Sequence, residues 1–335
     1  MKAVACVYDE KQGRSLFKEM TVEKLPLGPY DLRVQVKALS VNPVDYKQAR
    51  TIDAKNPGPR VLGWDAAGTV VEIGERVKTF FPGMDVFYAG AVNRPGTNSE
   101  FHVVDERLVG RMPKNLSYQE AAALPLTTIT AYECLFEKVR LDRQVEKKIL
   151  VIGGAGGVGS MALQLIKQLT RSQVAATAVR PESVAWVREM GANEVISYKE
   201  DFKTQLEQKG WPGVDVILCF NDTAMHYDNM ARAINPFGEI CSIVDMNTAV
   251  DSNPLKAKSV TFHWESMFTR SLYQLPDMIE QHRLLNEVAD LVEAGKIRST
   301  KTTELGVLNA ENLSEAHRLL QTNTMIGKIT LKGIT

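Results

Sequence analysis

Apolar and polar residues alternate over Leu32–Leu39, the pattern of a strand with one face buried and one face wet. Similar short runs at Gly63–Ile73, Asp85–Ala89 and Glu100–Val104 are set off by turn signals such as Phe81-Pro-Gly83 and Arg94-Pro-Gly96. Residues 1–120 therefore predict a set of short strands. From about Leu124 the period changes. Strand-like runs at Ile149–Ile152, Val174–Val179, Glu194–Ile196, Val214–Phe220, Glu239–Val244 and Ser259–His263 alternate with helical stretches, which predicts a parallel, doubly wound sheet. An amphipathic helix over Leu275–Ala294, a helix near Ala310–Gln321 and a last strand over Ile326–Leu331 follow. That tail is too short for a domain of its own, so it is expected to return to the first half. The reading is an α/β chain in which a β-rich domain (1–123 plus 270–335) is split around an inserted Rossmann domain (124–269).

The run Ile149-Leu-Val-Ile-Gly-Gly-Ala-Gly-Gly-Val-Gly-Ser160 passes from aliphatics to a glycine-rich turn, and Met161–Leu169 then shows helical spacing. Gly154, Gly156 and Gly159, with Gly157 and Val158 between them, give the G-x-G-x-x-G spacing of strand, tight turn and helix that cradles a pyrophosphate. The helix N-terminus then offers free N–H groups to the phosphates. Residues 149–166 carry no charge and are long enough to span a membrane, but five central glycines and the strand-to-helix break argue against it. A P-loop needs Lys after the last glycine, and this chain has Ser160.

A dinucleotide site commonly places an acidic residue about 20 positions further on, to accept the ribose 2′-hydroxyl. Here the second strand runs into Arg180-Pro-Glu-Ser183 instead. Arg180 offers a fork of donors to a 2′-phosphate, and Ser183 begins the next helix. The expected cofactor is NADP(H).

Charge then narrows the partners. Lys+Arg and Asp+Glu are both 40, so no net field favours nucleic acid or an acidic membrane surface. Cys6, Cys134, Cys219 and Cys241 are far apart, with no C-x-x-C pair and no His spaced for zinc, and read as small core residues of a reducing compartment. The N-terminus is charged too soon for a signal peptide, so a cytoplasmic location is expected. His102, His226, His282 and His317 belong to no constellation and read as surface or satisfied core groups. His263, within the aromatic stretch Phe262–Phe268, is left between core packing, an apolar substrate pocket and a subunit interface.

Four segments in order resemble the medium-chain dehydrogenase/reductase superfamily, and within it the zinc-free quinone oxidoreductase (zeta-crystallin-like) branch, whose members are often labelled zinc-type alcohol dehydrogenase-like. They are Ser40-Val-Asn-Pro-Val-Asp-Tyr-Lys47, Leu62-Gly-Trp-Asp-Ala-Ala-Gly-Thr69, Ala121–Tyr132 and Gly153–Gly159. The resemblance implies a GroES-like catalytic domain around the Rossmann domain, and a homodimer. It also implies that Asn42 and Tyr46 line the nicotinamide pocket and that Thr130 touches the cofactor. Arg180, Ser183 and Tyr198 would hold the 2′-phosphate, Val244 would lie beside the nicotinamide, and Gly327 and Lys328 would sit where the last strand passes the cofactor. Asp45 and Lys47 read as surface groups or as partners of the lining residues.

The departures from the zinc enzymes bear on the chemistry. Asn42 stands where they have Cys, Trp64 where they have His, and no cysteine occurs between Gly83 and Gly110. Zinc takes N, S or carboxylate ligands in tetrahedral geometry, which Asn with Trp does not supply, so no metal is expected. The Tyr and Lys four residues apart of short-chain reductases are absent as well. Reduction of a quinone or an α,β-unsaturated carbonyl, a small apolar substrate, needs no Lewis acid. Tyr46, whose phenol is a hydrogen-bond donor rather than a base at neutral pH, can donate a hydrogen bond to the developing oxyanion. An NADPH-binding sensor or crystallin-like structural protein, an RNA binder, and a zinc alcohol dehydrogenase are the alternatives.

Overall fold

The computed structural model describes residues 1–334, which pack as two compact units: residues 1–126 with 268–334, and Thr127–Met267. The chain opens with eight strands, β1 (Lys2–Asp9), β2 (Arg14–Thr21), β3 (Asp31–Ser40), β4 (Arg60–Val61), β5 (Ala66–Ile73), β6 (Asp85–Tyr88), β7 (Phe101–Asp105) and β8 (Val109–Arg111). Six follow in the second unit, β9 (Lys148–Ile152), β10 (Gln173–Thr177), β11 (Glu194–Ile196), β12 (Val214–Cys219), β13 (Ile234–Ser242) and β14 (Thr261–Trp264). The tail then adds β15 (Lys301–Val307) and β16 (Lys328–Lys332).

In the first unit the tail does return. β16 lies antiparallel to β3, pairing Thr330 with Ser40, and the sheet runs β15-β16-β3-β5-β6-β8, with β7 on β3. The alternation read over Leu32–Leu39 is real but changes phase. Leu32, Val34 and Val36 are buried, and then Ala38 and Leu39 both are. A register shift against β5 between Val36 and Ala38, a bulge, turns the strand by one residue there. Leu32, Leu39, Val86, Tyr88, Ile329 and Leu331 form the core beneath, closed by Leu313 and Ala316 of the helix Ala310–Leu320.

The second unit is a six-stranded parallel sheet in the order β11-β10-β9-β12-β13-β14, the doubly wound arrangement in which the chain reverses direction beside its first strand. Ile149–Ile152 are fully buried, as a strand covered on both faces must be. Among the described residues no helix is long and apolar enough to cross a membrane, and the uncharged run 149–166 is β9, a turn and the helix Gly157–Leu169. All four cysteines are buried and free.

Several boundaries move for local reasons. β5 begins at Ala66 rather than Gly63 and β16 at Lys328 rather than Ile326, because Gly63 and Gly327 take positive φ (102° and 61°) and break the extended run. The long helix begins at Ile279, beyond Pro276, which disfavours helical geometry at Leu275. β13 ends at Ser242, so Val244 lies two residues beyond it.

The glycines of the turn have different reasons. A Cβ on Gly159 would sit 2.3 Å from the Gly153 carbonyl oxygen, so the helix packs on the turn only with glycine there. A Cβ on Gly156 would meet nothing closer than 3.5 Å, and its φ of −73° suits any residue. Gly159→Ala is expected to cost about 1–3 kcal/mol in urea unfolding, as overpacking does. Gly156→Ala should change stability by less than about 0.5 kcal/mol. Equal losses in the two variants would refute this division.

Candidate active site

Four polar side chains meet in the interior of the β-rich unit. Asn42 caps the helix Pro43–Ala49, Asp45 is that helix's third residue, Asp65 immediately precedes β5, and Lys328 opens β16. All four are buried. Lys328 Nζ has three protons and three acceptors: the Val41 carbonyl at 2.9 Å, Asp65 Oδ2 at 3.0 Å, and Asn42 Oδ1. Asn42 Nδ2 donates to Asp65 Oδ2 at 2.9 Å and reaches the Trp64 carbonyl at 3.4 Å, which occupies both its protons. Asp65 Oδ1 accepts from the Leu126 N–H at 2.9 Å. The Asn42 N–H donates to Asp45 Oδ2 at 2.9 Å. Asn at the cap, Pro in the first turn and Asp at the third position explain why a short helix starts here.

Burial pushes the Asp45 carboxyl up to about 7, against the Asn42 N–H and then the Lys328 ammonium, which pull it down. Asp45 Oδ1 has no hydrogen-bond partner. Burial also raises Asp65, opposed first by Lys328. With Asp45 protonated, one cation and one anion remain and the cluster is neutral. Asp45 is therefore not the surface group that its sequence allows; Lys47, on the same helix, is exposed.

Tyr46 follows Asp45 and is half-buried, with the Arg50 guanidinium 5.1 Å from its ring centre. Among the described residues its hydroxyl has no hydrogen-bond partner. Trp64 is fully buried, its indole N–H donates to the Ala91 carbonyl at 3.0 Å, and its ring meets Phe268 edge-on. At positions 42 and 64, one side chain has its hydrogen-bonding groups engaged and the other is a core pillar. Neither fits zinc. Gly327 is accounted for by the fold, since a Cβ there would lie 2.3 Å from the Thr300 carbonyl.

The second unit holds the other expected residues. Gly156 caps the helix Gly157–Leu169, so free N–H groups open onto space that a side chain there would fill. A dinucleotide pyrophosphate fits this cradle. Arg180 caps the helix Pro181–Met190, exposed, with its guanidinium 3.2 Å from Glu182. The Ser183 hydroxyl donates to the Arg180 carbonyl at 2.8 Å. Tyr198 is exposed beyond β11, which pairs with β10, so it and Arg180 leave the same ends of neighbouring parallel strands. Thr130 is buried in the helix Pro125–Tyr132. The Val244 carbonyl accepts the Thr223 hydroxyl at 2.5 Å, and Thr223 and Ser242 share a 2.6 Å bond, a brace that local reading missed.

The histidines need a correction. His102, His226 and His317 are buried, but each keeps one ring nitrogen without a partner, so they are not fully satisfied core groups. His263 bonds Glu239 at 2.8 Å across neighbouring strands.

Comparison with known proteins finds relatives over the whole chain. Residues 28–126 match the model of the alcohol dehydrogenase GroES-like domain, and residues 190–331 that of the zinc-binding dehydrogenases. A zinc-type alcohol dehydrogenase-like protein of Staphylococcus aureus is 43% identical over 321 residues, 95% of either chain. The chloroplastic NADPH-dependent alkenal/one oxidoreductase of Arabidopsis thaliana is 30% identical, over 98% of this chain and 79% of that one. The crystal structure of Escherichia coli quinone oxidoreductase complexed with NADPH shares the fold with a TM-score of 0.82 at 22% identity, covering 99% of this chain and all of the other.

The buried proton has a measurable sign. Asp45 titrates near 7 folded and near about 4 unfolded, so between those values the folded chain holds a proton the unfolded one lacks. Its contribution is full at the acid end and is lost as pH rises through 7. Burial pushes His102 and His317 down to about 4, and they act oppositely over the same range, so the wild-type curve alone mixes the two. The stability difference, wild type minus Asp45→Asn, is expected to fall steadily from pH 4 to 7 in urea unfolding. A difference independent of pH would contradict the buried proton.

Proposed function

Because this chain belongs to the medium-chain dehydrogenase/reductase superfamily of oxidoreductases, we propose that it is a zinc-independent, NADPH-dependent reductase of quinones or α,β-unsaturated carbonyls. The observation that carries this reading is the state of the polar groups at Asn42, Tyr46 and Trp64. Asn42 and Trp64 are committed to protein partners, whereas the half-buried Tyr46 hydroxyl makes no hydrogen bond to the described residues. The Arabidopsis relative, named for NADPH and for alkenal/one substrates, supports the same cofactor and acceptor class.

When bound, NADPH supplies a hydride to the β-carbon of the acceptor. The chain's own part is to hold and orient. The N–H groups at the start of Gly157–Leu169 bind the pyrophosphate, as helix N-termini bind anions generally. Arg180 turns from Glu182, an exposed pair of little worth in water, to a 2′-phosphate with a stronger, forked interaction. No acidic side chain stands between Thr177 and Arg180 to repel that phosphate. Ser183 and Tyr198 complete the set. Tyr46 donates its hydroxyl proton as a hydrogen bond to the oxygen on which negative charge develops, and conjugation has already moved the electrons there. Water then completes protonation at carbon. Positioning of the two reactants supplies most of the remaining acceleration.

Fluorescence titration should show NADPH bound more tightly than NADH by wild type, with the preference lost or reversed in Arg180→Asp; equal affinities in both proteins contradict the assignment. Tyr46→Phe should lower kcat for an enone by roughly 10²-fold, as loss of an oxyanion donor does, with NADPH affinity kept. Full kcat in that variant would remove the donor role.

A further inference from the structure

The family resemblance implies that Lys328 sits where the last strand passes the cofactor; in the structure its ammonium is occupied by the protein. All three of its protons meet oxygen acceptors from the protein, on β3's continuation, on the cap of the Tyr46 helix and on the segment leading into β5. We propose that Lys328 is a positioning residue: a built-in cation that, through Asp65 and Asn42, fixes the helix Pro43–Ala49 and with it the Tyr46 hydroxyl. In its catalytic consequence this rests on the reductase reading above.

Three observations carry it. First, the acceptors are separated from Lys328 by more than 260 positions in sequence, so the contact ties the last strand to the start of one short helix. Second, that helix has only seven residues, too few to hold itself in water, so its orientation depends on what grips its ends. Asn42 grips the N-terminal end, and both ends of the Asn42 carboxamide are in turn held, the oxygen by Lys328 and the nitrogen by Asp65. Third, the groups around the cation are otherwise saturated. Asp65 uses both oxygens, and the one open polar atom is Asp45 Oδ1.

The charged and titratable groups facing Lys328 are Asp65 and, one bond further, Asp45. Removing the ammonium alone would leave Asp65 buried and unpaired, which is strongly destabilising, so a single variant cannot separate positioning from folding. The test therefore compares Lys328→Met with the charge-balanced double variant Lys328→Met/Asp65→Asn. Four quantities are read in each: thermal midpoint, hydrogen exchange of the peptide spanning Pro43–Ala49, NADPH affinity by fluorescence, and kcat and KM for 1,4-naphthoquinone.

The double variant is expected to regain most of the thermal midpoint lost in Lys328→Met. It should still exchange the helix amides faster than wild type and show kcat lowered by roughly tenfold or more, with NADPH affinity within about twofold. Recovery of kcat together with the midpoint would reduce the cluster to a folding element and overturn the proposal. So would wild-type exchange in that helix. A large loss of NADPH affinity in Lys328→Met would overturn it differently, by returning Lys328 to the cofactor. If wild type turns over no acceptor, the reductase reading fails, and the exchange and affinity measurements still decide the role of Lys328.

Discussion

The contact on which the β-rich unit's chemistry depends is the buried Lys328–Asp65 ion pair, 3.0 Å long and closed off from water. A lone charge in such a place is untenable, and even a pair is stable only when every remaining proton and lone pair finds a partner. Asn42, the Val41 carbonyl and the Leu126 N–H supply those partners. The arrangement takes up the hydrogen-bonding groups of Asn42, the residue that first attracts attention in the motif Ser40–Lys47. The proposed donor is therefore another side chain on the same helix, Tyr46.

The two units meet different demands with different devices. In the parallel unit glycine does the work, at Gly159 because the helix must touch the turn, and at Gly156 because a side chain would fill the cradle. In the β-rich unit charge does it. There the interior holds carboxylates, an ammonium and a carboxamide, and their protonation sets the local charge. Asp45 is the adjustable member, since its proton comes off near neutrality while Asp65 stays tied to Lys328.

Local features were legible in the chain. The glycine turn, the parallel strands and the returning tail all follow from residues close together in sequence, or from a period. The structure departs where the deciding partner is remote. That Lys328 donates a hydrogen bond to Asn42, 286 positions away, is not visible in its own segment. Asp45 reads as a surface acid because nothing nearby in sequence shows that it will be buried. Asp65 carries no local signal of its role, since an Asp before a strand is ordinary. Thr223, the first residue of a helix, and Ser242, the last of β13, brace Val244, a relation no periodicity reports. The late start of the long helix, at Ile279, has a local cause in Pro276.

The central claim is reduction of an activated acceptor without a metal. Its most direct test is NADPH oxidation by protein stripped with a chelator and checked for zinc by elemental analysis, with 1,4-naphthoquinone and methyl vinyl ketone as acceptors. The account predicts turnover of at least one acceptor by zinc-free protein, unchanged by added zinc. Turnover that appears only with stoichiometric zinc, or oxidation of simple alcohols in its place, would contradict it.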